Sequence, residues 1–266
     1  MFILYAMMVS LIMIENVWNF ATQKQDAQQA SFHNNVPLSQ EPFDSHLDKE
    51  TQSQKDFHQP PKSELGYQFA YSSLSDQDIP SIITMLSKLS PQKALFLAHN
   101  SISDHGFLKL VPYLKQTTSI NHLILSHNSL QFSEFAKAGL ADLLKVNRYI
   151  GWLVFNHNDI SDIGAKHLAF ALKHNKAVKH LVLSHNHITD TGGFDLLSNL
   201  NHHPTLESLF LANNQLTLAS IPFLIDFVKT SKSLKRLDIS GHFNTNHPSL
   251  NELKNQCELH GIRLHY

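Results

Sequence analysis

Four histidines, His99, His127, His157 and His185, each stand directly before an asparagine in the same apolar frame: "LFLAHNSI", "LILSHNSL", "LVFNHNDI" and "LVLSHNHI". Imidazole ligates metals, carries protons and titrates near neutrality, so a regular row of histidines is the first place to look for chemistry. The chain holds 19 histidines against 21 lysines and arginines. With an unperturbed pKa of about 6.5, it would gain roughly 15 or more positive charges between neutral pH and about pH 5. If each frame is a strand, neighbouring copies lie about 4.8 Å apart and the four rings form an outward-facing column. Two imidazoles on adjacent strands could reach one ion, but a structural zinc site takes four ligands in a tetrahedron. The frames place no carboxylate or thiolate beside the column, so no metal site is expected. The column is then either solvated polar surface or a pH-responsive row, in which protonation sets like charges side by side.

Other chemistry is scarce. The single cysteine, Cys257, rules out a disulfide framework and a thiolate metal cluster. It lies in an apolar helical pattern and is expected to be a small buried residue. No phosphate-binding glycine loop, paired-carboxylate motif or nucleophile–base pairing appears, so the chain is not expected to be an enzyme or to need a cofactor. The net charge of −1 and pI near 7.0 give no push toward nucleic acid.

The elements that position the histidines follow from periodicity. Asn100, Asn128, Asn158, Asn186 and Asn214 recur at spacings of 28, 30, 28 and 28. Around each stands an apolar-x-x-L-x-L-x-x-N-x-I/L frame, in full at Ile120, Leu123, Leu125, Asn128 and Leu130 and again at Val178, Leu181, Leu183, Asn186 and Ile188. Degenerate copies at Tyr67, Phe69, Ser72, Leu74 and at Leu234, Leu237, Ile239, with His242 in the asparagine slot, make about seven units between Glu64 and Tyr266. Between frames, "SDIGAKHLAFALKHNKA" carries apolar residues at helical spacing. Asp104, Asp162 and Asp190 open the helices, where a carboxylate favours exposed amides and the dipole. One strand plus one helix cannot bury its apolar side alone, whereas stacked units share a continuous core. The two extra residues of the 30-residue unit (131–149) are expected to lengthen a helix or loop.

This pattern resembles the leucine-rich repeat superfamily in its ribonuclease-inhibitor-like class. The resemblance implies an α/β horseshoe solenoid, with parallel strands on the concave face, helices on the convex face and a concave surface that usually binds a protein. It also implies that the asparagines turn inward as a ladder satisfying loop backbone, rather than lining a substrate site. Some related repeat proteins activate GTPases, but nothing beyond the shared repeat carries that activity here. By analogy, the low cysteine count and Asn/Gln/His/Lys-rich usage suggest a secreted bacterial effector acting on host proteins.

Alternation along the strands points one column into the concavity: Phe96, Ile124, Val154, Val182 and Phe210. Beside it run His122, Trp152 and His180. An exposed apolar run of this length marks a protein-binding stripe, unless small neighbours or a linker cover it. The protein-binding residues are therefore expected to be Phe96, Ile124, Trp152, Val154, His180, Val182 and Phe210. Residues 1–21 begin "MFILYAMMVSLIMI" and suggest an export signal or membrane anchor; residues 22–63, rich in Gln, Ser, Asp and Pro, suggest a disordered linker. The expected protein is a monomeric, exported or membrane-associated interaction module that binds a partner protein. The alternatives are an enzyme regulator and a histidine-based pH or metal sensor.

Overall fold

The computed structural model describes residues 66–243 and 247–266. The expected signal or anchor over 1–21 and the linker over 22–63 lie outside the described residues.

Three-residue strands alternate with helices. The order is β1 (Gly66–Gln68), α1 (Ile79–Leu86), β2 (Ala94–Phe96), α2 (Asp104–Gln116), β3 (His122–Ile124), α3 (Lys137–Val146), β4 (Trp152–Val154) and α4 (Asp162–Leu172). There follow β5 (His180–Val182), α5 (Asp190–Leu200), β6 (Ser208–Phe210), a short 3-10 turn (Leu218–Ser220), α6 (Ile221–Thr230), β7 (Arg236–Asp238), α7 (Ser249–Leu259) and β8 (Arg263–His265). The strands pair in sequence order into one parallel sheet. Parallel neighbours require crossovers of one hand, so among the described residues every helix falls on the same side of the sheet and the other side is helix-free.

Register sets the core. Leu95, Leu123, Leu153, Leu181, Leu209 and Leu237 align across six adjacent strands and are all buried. Leu97, Leu125, Phe155, Leu183, Leu211 and Ile239 bury a second row. Each such side chain contributes about 1.5–3 kcal/mol on full burial, which no single unit could collect without its neighbours.

The inward ladder forms as the frame implied. The Asn128 amide donates to the Leu97 and Leu125 carbonyls at 2.9 and 3.1 Å, and its Oδ1 accepts from the Ile102 amide at 2.9 Å. Asn100, Asn158, Asn186 and Asn214 repeat this bridge between consecutive units. At the last position His242 does part of the same work, with Nδ1 donating to the Ile239 carbonyl and Nε2 accepting from the Asn214 amide.

One expectation needs correction. The helix-opening aspartates do more than favour their own dipoles, because their carboxylates reach the next unit's turn. Asp162 accepts from the Thr189 amide and hydroxyl (both 2.7 Å), and Asp190 accepts from the same groups of Thr217. Helices α2 and α5 are instead capped by Ser103 and Thr189, whose hydroxyls accept from the His105 and Thr191 amides. Asp162 also explains the glycine two residues after Asp190: a Cβ on Gly192 would sit 2.3 Å from the Asp162 carboxylate.

The 30-residue unit takes the second of its two expected forms. Its extra residues lengthen the loop before α3, not a helix, and that loop drives a side chain into the core. Phe132 has φ +49 and is buried edge-on between Phe107 and Phe155, with ring centroids at 5.3 and 5.0 Å. Asp104 holds the loop by accepting from the amides of Gln131, Phe132 and Ser133.

Candidate functional site

The residue before each ladder asparagine carries a positive φ. His99, His127, His157 and His185 lie at +54, +51, +52 and +54, and Tyr71, Asn213 and Gly241 continue the series at +56, +52 and +80. Each frame thus ends in a left-handed residue, a conformation in which Asn, Asp, His and Gly are enriched. The backbone gains from it, since the His99, His127, His157 and His185 amides each donate to a carbonyl of the next unit at 2.8–3.0 Å.

Side chains leaving one backbone geometry at one spacing must lie parallel. The rings of His99, His127, His157 and His185 stack face to face, with successive centroids at 3.8, 4.0 and 3.9 Å and interplanar angles of 12–15°. Tyr71 extends the stack onto His99 at 4.0 Å. At the other end Asn213 Nδ2 donates to His185 Nε2 at 3.1 Å. The four histidines are therefore brought together as the sequence implied, and Tyr71 and Asn213 complete a column of six. Metal chemistry fits this arrangement poorly. Parallel rings aim their in-plane lone pairs side by side, whereas an ion requires them to converge. Among the described residues no group of three or more His, Cys, Asp or Glu side chains is arranged to hold an ion. Burial holds the His99 imidazole below its ordinary pKa.

The apolar stripe lies on the helix-free face in the expected register. Its openness was overestimated. Ile124, Val154, Val182 and Phe210 are only 6, 1, 0 and 3% exposed, and Phe96, Trp152 and His180 are half-buried. Part of the reason is lateral. Strands about 4.8 Å apart carry branched or aromatic side chains in register, so each covers the flank of the next. Trp152 is likewise flanked, stacking on His180 at 3.8 Å and facing His122 at 5.6 Å. His180 Nδ1 lies 3.1 Å from the Ser208 hydroxyl. Burial pushes the His180 pKa down to about 4; the charges of Arg236 and Lys179 push the same way, and Glu207 opposes them. Glu207 is itself paired with Lys235 at 2.7 Å and Lys179 at 3.7 Å, so charge gathers where these strands begin. Cys257 is buried, and burial raises its thiol to about 11, where it is a poor nucleophile.

Stacked β–α units around an asparagine ladder, with a helix-free sheet on one side, define an α/β repeat solenoid. The repeat is similar to that of leucine-rich repeat proteins: the model of the family described as "Leucine Rich repeat" matches residues 174–197, the stretch that follows α4 and runs through β5 into α5. No curated protein matches the chain. A solved structure described as "Leiomodin-1 Actin-Binding Site 2 (ABS2)" aligns at 18% identity and a TM-score of 0.49, over 57% of this chain and 86% of that one. Among the described residues no helix is long and apolar enough to cross a membrane.

Proposed function

We propose that the repeats are a non-enzymatic protein-interaction module whose partner docks on the helix-free, concave side of the sheet. The observation that carries this is the in-register run of Phe96, Ile124, Val154, Val182 and Phe210 beside Trp152 and His180. A solenoid needs apolar residues on the helix side of its sheet; an aligned apolar run on the other side adds nothing to the helix packing. The half-buried Phe96, Trp152 and His180 are the first points of contact, and the Lys179, Glu207, Lys235 and Arg236 charges form a polar rim. Partners are found by proximity labelling with the full chain and then measured by calorimetry. Phe96→Ala and Trp152→Ala are each expected to weaken binding by about 1–3 kcal/mol. A partner that binds the Phe96/Phe210 double alanine variant normally would move the site to the helix side. Export, or attachment through residues 1–21, belongs to the same proposal and is tested by fractionating the full-length protein.

A second reading, a pH-responsive column, is favoured by the ring stacking. Imidazoles less than about 4 Å apart cannot all charge without repulsion. If the column senses acid, partner affinity should change between about pH 7 and pH 5, and a His127/His157 double glutamine variant should lose that change.

A further inference from the structure

The lengthened loop before α3 is held from two sides, and one of them depends on a proton. His167 on α4 is buried, with Nδ1 2.8 Å from the Phe132 carbonyl and Nε2 2.9 Å from Glu134 Oε1. A carbonyl can only accept, so Nδ1 carries hydrogen. An ionised carboxylate can also only accept, so Nε2 must carry hydrogen as well. Neutral imidazole has a single N–H, and both contacts are satisfied together only by imidazolium.

We propose that His167 is a proton-operated latch: as imidazolium it straps loop 131–136 onto the start of α4, and on losing its proton it releases the Glu134 end. The loop lies close enough for this to matter. A Cβ on Gly164, in the first turn of α4, would stand 2.1 Å from the Gln131 carbonyl. Phe132 anchors the loop's centre in the core, while Phe135 beyond Glu134 is exposed and rests on the His105 ring at 4.5 Å. Release therefore changes how Phe135 is presented on the helix side, without unseating the core.

The surrounding charges support the latch. On the loop and α3, Lys137 bonds Glu134 at 3.4 Å; on α2, Asp104 is engaged by the loop amides. Across α4 and α5, Lys166 pairs with Asp195 and Asp162 is held by Thr189, while Asp190 of α5 is held by Thr217. Among the described residues Glu134 is the carboxylate bonded to the His167 ring. Desolvation is the largest single influence and pushes the Glu134 carboxyl up, but the bonds and charges of His167 and Lys137 together hold the group below its ordinary value.

The test is hydrogen exchange at the Ser133–Ala136 amides of the full chain, followed across the imidazole titration and corrected for intrinsic pH dependence. Ring nitrogen resonances of His167, assigned by their loss in His167→Gln, are read alongside. Protection of these amides should fall by roughly tenfold as His167 loses its second proton, the order expected when a charge-assisted bond is lost. Glu134→Gln changes an exposed side chain and lets the amide donate to neutral Nε2, so it should hold the strap at both ends of the titration and flatten the profile. Protection that is unchanged as His167 titrates would overturn the proposal. So would a His167 ring that stays singly protonated throughout, or the same step persisting in Glu134→Gln.

Discussion

His157 and Asn158 are neighbours in sequence and recur with the same period, yet they belong to different regions of the molecule. Asn158 turns inward, and its amide bridges the Leu125 and Phe155 carbonyls and the Leu130 amide. Its donors and acceptor match a fixed set of orphan backbone groups, so the slot is chemically demanding; only the two end units depart from asparagine, with Ser72 in the first and His242 in the last. His157 turns outward, and its slot demands only a tolerable positive φ, which Tyr71, Asn213 and Gly241 also supply in their units. A repeated residue is therefore not in itself a sign of chemistry. One half of the His-Asn pair is selected by hydrogen bonds that nothing else completes. The other half is selected by a backbone conformation, and the ring stack follows from it.

Removing an inward side chain should therefore cost far more than removing an outward one. Asn158→Ala leaves the buried Leu130 amide without its acceptor and takes one of two side-chain donors from the Leu125 and Phe155 carbonyls, and should cost about 2–4 kcal/mol by urea unfolding. Leu183→Ala, a core cavity in the same sheet, sets the scale at about 2–5 kcal/mol. Gly164→Ala forces a Cβ against the Gln131 carbonyl and should cost about 1–3 kcal/mol, showing that the loop, not a helix, absorbed the extra residues.

Acid should act through the histidines that burial keeps neutral. Burial lowers the pKa values of His99, His180, His203 and His242 in the folded state, with His180 reaching about 4. Below the unfolded value of about 6.5 the unfolded chain binds more protons than the folded one. The stabilisation is thus fully present above about pH 6.5 and is lost as pH falls toward 4. A melting series should show a decline of the order of 2 kcal/mol from His180 by about pH 4, smaller in His180→Gln. Smallest of all, Tyr71→Gly removes an exposed ring from the end of the stack but relaxes a strained φ, so stability should move by about 0.5 kcal/mol or less.

The repeat, the strand register and the inward asparagines were legible because each is written as a period: 28 residues for the unit and two for the strand. The histidine column was legible for the same reason. Its left-handed backbone was not, although Asn213 and Gly241 standing in the same slot were a signal for it. The aspartate bridges lay hidden because a carboxylate at a helix start has an obvious partner in its own helix, and only the stacking shows that the next unit's turn competes for it. Burial of Ile124, Val154, Val182 and Phe210 was missed since alternation along a strand reports direction and says nothing of what lies alongside. The His167–Glu134 contact spans 33 residues with no periodic counterpart, so no pattern pointed to it.

The most direct test of the account exchanges all four column histidines, His99, His127, His157 and His185, for asparagine, the residue found in that slot at Asn213, and measures urea unfolding beside the single Asn158→Ala variant. The fourfold change is expected to leave a cooperative transition and to cost less than the single one, because asparagine tolerates the left-handed backbone and the ladder is untouched. A fourfold variant as destabilised as Asn158→Ala, or more so, would contradict it and make the imidazole stack a structural element in its own right.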